Sequence, residues 1–525
     1  MSDVRKPILE LKDLSITRGG VVELERLSCV LDRGETLIVL GDDRSGKDAL
    51  LRLLGGFAQR ADEIAGTIKL GAGDEQPAAR KMRSPIRTVY LPGIEQAPFN
   101  PHVTVASQLA RVVARRHESP RESGREELRI ALERLTGAPP FETLEQKPSA
   151  LSAVMLSWGL LAAALAQSPD LLIADHAFAG LTPIEIKAIV AALQAEQKRA
   201  GFALLYAARG LQTAANIRGR VIVLRQGRVI EEGDFDKLAS GQAHAYTRTL
   251  FRALARPGEA LPARTTRGEP LLQVHGLDFR APGDRGPKAR DGLSFELRRG
   301  ASLALVGEEG SGRRRLIRAL LGLQPFVSGR VVLDQVDLSI LSPAMTARLR
   351  RRIAFITGAD DALDPRMTLW DTVDEPLRAH LGLSRDLVAG HRETALKRVG
   401  LASHDGRAAV ATLSRFDKRR LQVARAIVSA PFLAVIDEPL RGLDAFAQTI
   451  MKELLDDLRK QEGPAFLIVT ADVGVAQALA EDAMFFKAGR VVERGPLREI
   501  LKNPKDEETR HLIEAALGQS CYKTP

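Results

Sequence analysis

The chain has 525 residues, 45% hydrophobic and 27% charged, which is enough for at least two full cores and excludes a disordered chain. Its most apolar long stretch, Ala153 to Ala166, is broken by Ser157 and shorter than the roughly 20 residues of a membrane span; the N-terminus MSDVRKPILEL has no apolar signal core, so a chain that stays in the cytosol is expected. The net charge is +10 with only 4% aromatic residues, and without an aromatic-interleaved basic patch this charge is read as compositional, with no nucleic-acid partner expected.

Taken in chain order, ILELKDLSITRGG precedes ETLIVLGDDRSGKDALLRLLGG, an apolar strand, a glycine loop and a helix. That order is the context of a phosphate-binding loop. Apolar runs DLLIA, ALLYA and VIVL follow, separated by Ala/Leu/Arg-rich helical stretches. Such alternation predicts an α/β architecture with a mostly parallel sheet, whose ligands bind at the carboxyl ends of the strands. The segment 255–270, ARPGEALPARTTRGEP, is rich in Pro, Gly and Arg and is read as a linker.

Beyond the linker the pattern repeats, with LLQVHGLDFRAPG and then ASLALVGEEGSGRRRLIRALLGL. Gly41 and Gly307 head the two loops, an offset of 307 − 41 = 266. Leu151 in LSAVM answers Leu413 in LSRFD, and Asp175 answers Asp437, both at an offset of 262. LRQGRVIEEG and FKAGRVVERG lie 262 apart as well. Near-constant offsets mean two copies of one domain, 1–254 and 271–525, about the linker 255–270. Cys29 and Cys521 form no metal or disulfide pattern, as expected in a reducing compartment.

The order of these landmarks resembles the ATP-binding cassette (ABC) family over nearly the whole chain, as two tandem nucleotide-binding domains. Each is expected to be a P-loop-type, mostly parallel sheet with a helical subdomain. FNPHVTV, LDPRMTLWDTVDEPLRAH and HAYTRTLFRAL resemble the peptide and nickel importer branch. The resemblance implies ATP and Mg²⁺ as ligands and an intramolecular cassette dimer. It also implies transmembrane permease subunits and a substrate-binding protein as partners, and a peripheral position on the inner face of the cell membrane.

Residue by residue, the family's loop is G-x-x-G-x-G-K-[ST]. Its backbone amides and lysine hold the phosphates, and its hydroxyl holds Mg²⁺. The first copy keeps Gly41, Ser45, Gly46 and Lys47, with Arg44 for a glycine and Asp48 for the hydroxyl. The second keeps Gly307, Gly310, Ser311 and Gly312, with Arg313 for the lysine and Arg314 for the hydroxyl. Arginine pairs with phosphate but is not equivalent to lysine, and Arg314 would compete with the metal. Both readings of the second loop stand open: an altered, Mg²⁺-independent phosphate site, or a frame kept for folding.

In the family's next motif an aspartate orients Mg²⁺ and a glutamate polarises the attacking water. Asp437 and Glu438 carry these roles in the second copy, with Asp444 further on. The first copy has Asp175 followed by His176, and Thr182 at the later position. A histidine can act as a base, but a lone one here is read as incidental. The signature serines are Ser152 and Ser414, without the family's glycines, and Asp417 would face phosphate. The switch-histidine positions hold Arg209 and Ala471; the Q-loop position holds Thr357 and, in the first copy, falls near Pro92 and Gly93. The implied composite sites join Lys47, Asp175 and His176 to Ser414, and Arg313, Asp437 and Glu438 to Ser152. Neither holds a complete set, so the expected function is an ATP-binding, energy-coupling importer subunit with impaired or asymmetric hydrolysis. The alternative is an inactive cassette-derived scaffold or regulator.

Overall fold

The computed structural model describes residues 7–78, 84–97, 99–117, 121–240, 243–254, 261, 268–279, 292–341, 345, 349–359, 362–381, 383–461 and 463–517. The linker 255–270 therefore lies largely outside the described residues, as does Cys521. The chain divides into two compact units, Met1–Leu254 with Asp444–Phe446, and Ala255–Leu443 with Ala447–Pro525.

In the first unit the strand Thr36–Leu40 is apolar at every position but one, because both of its faces are covered. Ile38 and Leu40 point to one core with Leu172, Leu204 and Val223, packed under helical residues such as Leu109, Val113, Leu161 and Ile189. Leu37 and Val39 point to the other with Ile173, Leu205 and Ile222, against Leu50, Leu51 and Leu54 and an antiparallel sheet carrying Leu9, Leu11 and Leu31. Each such side chain contributes about 1.5–3 kcal/mol of burial. The six-stranded sheet runs Arg228–Asp234, Arg220–Arg225, Thr36–Leu40, Ala203–Ala207, Leu171–Asp175, Thr88–Pro92. All its neighbours are parallel except the first pair. The antiparallel sheet runs Val21–Asp32, Pro7–Arg18, Asp62–Leu70, Gln76–Pro77.

The second unit has the same plan. Its six-stranded sheet runs Ile353–Thr357, Leu433–Asp437, Ala465–Thr470, Ser302–Gly307, Asp482–Lys487, Arg490–Pro496, antiparallel only at the last pair. Leu303, Leu305, Val435 and Leu467 face a core shared with Leu316, Ile317 and Leu320 and with Val274 and Val331 of the antiparallel sheet. That sheet opens with Pro270–Asp278. Pro270, which composition assigns to the linker, is thus the first residue of a strand, a place where a missing N–H is tolerated. Helices Leu369–Pro376, Arg385–Arg398 and Arg415–Ile427 lie between the strands Ile353–Thr357 and Leu433–Asp437. There Asp374, 1% exposed, accepts from Arg378 at 3.0 Å and Arg392 at 2.7 Å.

Among the described residues no helix is long and apolar enough to cross a membrane. Cys29 lies within the first unit's core, and burial pushes its thiol up to about 12. Since the thiolate is the reactive form, iodoacetamide at pH 8 should leave Cys29 unmodified in the folded chain and label it in denaturant. Peptide mass spectrometry checks this, and rapid native labelling would contradict it.

Candidate nucleotide site

Both glycine loops sit between a parallel strand's carboxyl end and a helix N-terminus, where free amides point outward. In the first unit Gly46 precedes the helix Lys47–Leu54 with φ +97, a conformation that favours glycine. A Cβ there would lie 2.2 Å from the Glu23 carbonyl oxygen. Lys47 is 1% exposed, and its Nζ donates to the Asp42 carbonyl at 2.6 Å. Tyr246 Oη donates to the Asp42 carboxylate at 3.0 Å and accepts from the Asp42 N–H at the same distance, tying the loop down. Ser45 Oγ is buried without a hydrogen-bond partner. Gly310 takes φ +82 in the second loop, whereas Arg44 at the matching place is not among the residues with positive φ. Arg44 thus does not adopt the left-handed conformation of its glycine counterpart.

At the strand end of the first unit, Tyr90 Oη donates to Asp175 Oδ2. His176, 4% exposed, has φ +50, and its N–H donates to the Ala207 carbonyl at 3.1 Å. Its Nε2 lies 3.4 Å from Asp48 Oδ1 and 3.5 Å from Asp175 Oδ1. Burial alone would raise the Asp48 carboxyl, but the His176 hydrogen bond and the Lys47 charge outweigh it and hold the group below its ordinary value. Burial, then Asp175, pushes the Tyr90 phenol upward, so Tyr90 stays a donor.

The second unit has Arg314 in place of Asp48 and Glu438 in place of His176. Gly312 starts the helix Arg313–Leu320 with φ +99. Arg313, 7% exposed, donates Nη2 to the Glu308 carbonyl at 3.1 Å and Nε to Ser311 Oγ at 3.1 Å. Glu308 matches Asp42 at the loop offset of 266, so the guanidinium takes the register that Lys47 holds in the first unit. Arg313 Nη1 also lies 3.6 Å from Glu438 Oε1. Arg314 donates Nε to Asp437 Oδ2 at 3.1 Å. Glu438, φ +49, accepts from Thr470 Oγ1 at 3.0 Å and the Ala471 N–H at 2.7 Å. Burial raises the Glu438 carboxyl above its usual range against the pull of Arg313, and burial lowers Arg313 against the pull of Glu438 and Asp437. A glutamate and a histidine held left-handed at matching strand ends store strain of about 1–3 kcal/mol each, a feature that clusters at functional sites.

The family profile described as "ABC transporter" matches residues 24–179 and 290–441. The chain belongs to the ABC transporter family. The glutathione import ATP-binding proteins GsiA of Shigella sonnei strain Ss046 and Escherichia coli strain K12 are each 30% identical to it over 563 residues, covering 97% of this chain and 89% of the relative. Among solved structures, cbiO1 of Clostridium perfringens, described as part of the ABC transporter complex cbiONQ, is 25% identical with a TM-score of 0.41. That alignment covers 45% of this chain and 92% of that one.

Within this ABC chain the remaining motif positions are all placed. Ser152 caps the helix Ala153–Ala166 by position, without a side-chain bond. Ser414 caps Arg415–Ile427 and accepts from the Asp417 N–H at 3.0 Å. Asp417 accepts from Ser414 and Arg420, with His404 nearby at 3.5 Å. Arg209 approaches Asp43 at 4.0 Å. The Thr357 N–H donates to Gln422 Oε1 at 3.3 Å. Gly358 is required by packing, since a Cβ would meet the Glu438 carbonyl at 2.2 Å; Gly93 meets the His176 carbonyl at 2.7 Å in the same way. Polar partners such as Tyr90, in the strand Thr88–Pro92, and Gln422, in the helix Arg415–Ile427, escaped the sequence reading, because a single tyrosine or glutamine there carries no local signal.

Proposed function

We propose that this chain is the ATP-binding subunit of an importer for small peptides of the glutathione class, working beneath transmembrane permease subunits fed by a substrate-binding protein. Its second unit takes ATP phosphates on an arginine loop without Mg²⁺. The similarity to glutathione import ATP-binding proteins along nearly the full length of both chains supports the importer reading. The altered chemistry rests on one observation: Arg314 Nε donates to Asp437, the carboxylate that orients the metal in this family.

Phosphate fits the second loop. Its three glycines leave the helix N-terminus open, and Arg313 offers a permanent positive charge with donors suited to phosphate oxygens. Mg²⁺ fits poorly, because a guanidinium already stands on Asp437. Arg314 is 55% exposed, so the pair itself is worth no more than about 1 kcal/mol; its effect is to place a cation where the metal would bind. With Mg²⁺ bound at such loops, the metal would neutralise phosphate charge; here Arg313 and Arg314 supply charge of the same sign from the chain. Glu438 would serve as the base, and the engagement of its carboxylate by Arg313 and the Ala471 N–H supports a reading of impaired hydrolysis.

Titration calorimetry with ATP, in Mg²⁺ and in EDTA, tests this. One equivalent should bind with affinity that Mg²⁺ changes less than about threefold. Arg313→Ala should weaken that equivalent about 10- to 100-fold, the worth of a charge-assisted hydrogen bond. Binding seen only with Mg²⁺, or unaffected by Arg313→Ala, would overturn the arginine-loop reading. Transport of glutathione-class peptides by the reconstituted complex would test the importer reading separately.

A further inference from the structure

The first unit's strand end carries a cluster apart from the second unit's arginine loop, on which the proposed nucleotide site rests. Asp48, Asp175 and His176 each offer one ligand atom, and these atoms lie within 4.8 Å of one another. His176 Nε2 is 3.4 Å from one carboxylate oxygen and 3.5 Å from the other. A tetrahedral ion with bonds of about 2.0–2.1 Å sets its ligands roughly 3.3 Å apart. Asp175 is 6% exposed at its side chain. Its Oδ1, turned toward His176, accepts no hydrogen bond, while Oδ2 is held by Tyr90. A carboxylate with one oxygen anchored and the other buried, bare and facing two further donors has the form of an oriented metal ligand. Asp48 is 46% exposed, which leaves an entry path.

We propose that the first unit binds a divalent transition-metal ion of the Zn²⁺ class at Asp48, Asp175 and His176, without nucleotide. The donor set decides the ion. Mg²⁺ takes oxygen ligands in near-octahedral geometry, whereas one imidazole with two carboxylates suits Zn²⁺ and its first-row neighbours. The first loop's loss of a hydroxyl and the strand end's loss of a glutamate thereby become one change, since Asp48 and His176 face each other. The second unit is the internal control: Arg314, at the position matching Asp48, already puts a cation on Asp437, so no metal is taken there. The competing arrangement is His176 Nε2 lying between the two carboxylates with no metal.

The test uses the full chain purified without a polyhistidine tag, stripped with EDTA and dialysed against Zn²⁺ without nucleotide, with bound metal counted by mass spectrometry. One equivalent per chain is expected at micromolar free Zn²⁺. His176→Ala and Asp48→Asn should each weaken it at least tenfold. Asp48 is half exposed, so its variant should fold even if the buried histidine's does not. Co²⁺ should bind with the visible spectrum of a four-coordinate ion, lost in Asp48→Asn. No stoichiometric binding, or binding unchanged in both variants, overturns the proposal. Neither result depends on ATP, so failure here and failure of the nucleotide reading are distinguishable.

Discussion

Replacing Arg313 by Lys and Arg314 by Ser should turn the second unit's loop into a Mg²⁺-dependent ATP site. The affinity ratio between Mg²⁺ and EDTA buffers should rise from near one to at least tenfold, about 1.4 kcal/mol. Lysine reaches the same loop carbonyl in the first unit, where Lys47 Nζ bonds the Asp42 oxygen at 2.6 Å, so its register in the second loop is already built. Serine removes the guanidinium that bonds Asp437 Oδ2 and restores the hydroxyl that the family's loop gives to the metal. Asp437 Oδ1 is buried and has no hydrogen-bond partner, so both oxygens become available. Lysine keeps the positive charge but lacks the Nη1 that lies 3.6 Å from Glu438 Oε1, so that carboxylate should also be less engaged. Calorimetry on the double variant, with Arg314→Ser alone as intermediate, resolves the two contributions. A Mg²⁺ ratio that stays near one would show that Arg314 does not occlude the metal position.

Gly46→Ala should destabilise the first unit by on the order of 3 kcal/mol, while Gly312→Ala should cost the second unit roughly half as much. Both residues hold nearly the same left-handed φ, +97 and +99, so the conformational strain is common to the two. The surroundings differ. A Cβ on residue 46 would sit 2.2 Å from the Glu23 carbonyl oxygen, a strand backbone atom; on residue 312 the nearest atom is the Gly489 Cα at 3.0 Å. The first clash can be relieved only by moving the strand Val21–Asp32 or the loop, and the second yields to a shift of a few tenths of an ångström. For a unit of this size the first change should lower the midpoint by about 6–12 °C. Hydrogen exchange of the amides in Lys47–Leu54 and in Arg313–Leu320 reads each unit separately. Equal losses in the two variants would mean that strain alone, not the Glu23 contact, sets the effect.

Much of this protein is local in the sequence. Strands such as Thr36–Leu40 and Ser302–Gly307 are legible because two-sided burial demands an unbroken apolar run. The loops that follow are legible because phosphate-loop glycines recur at fixed spacing. Two copies at nearly constant offset fix the tandem plan, and Asp437 and Glu438 follow from their place after the apolar strand 433–436. Lys47, Arg313 and the glycines were named by the same rule.

What the tertiary structure alone decides is who faces whom. Arg314 meets Asp437 across 123 positions of sequence, and Asp48 meets His176 across 128. No periodicity reports such pairs; they exist because parallel strands deliver distant strand ends to one edge of the sheet. That is why His176 looks incidental as a letter and becomes, in space, the buried imidazole between two carboxylates. The sequence by itself determined the frame and the residue types at each motif position, since backbone pattern and glycine spacing are short-range. Only the fold decided the charge partners, because Coulomb interactions and metal geometry depend on distances that sequence separation does not carry.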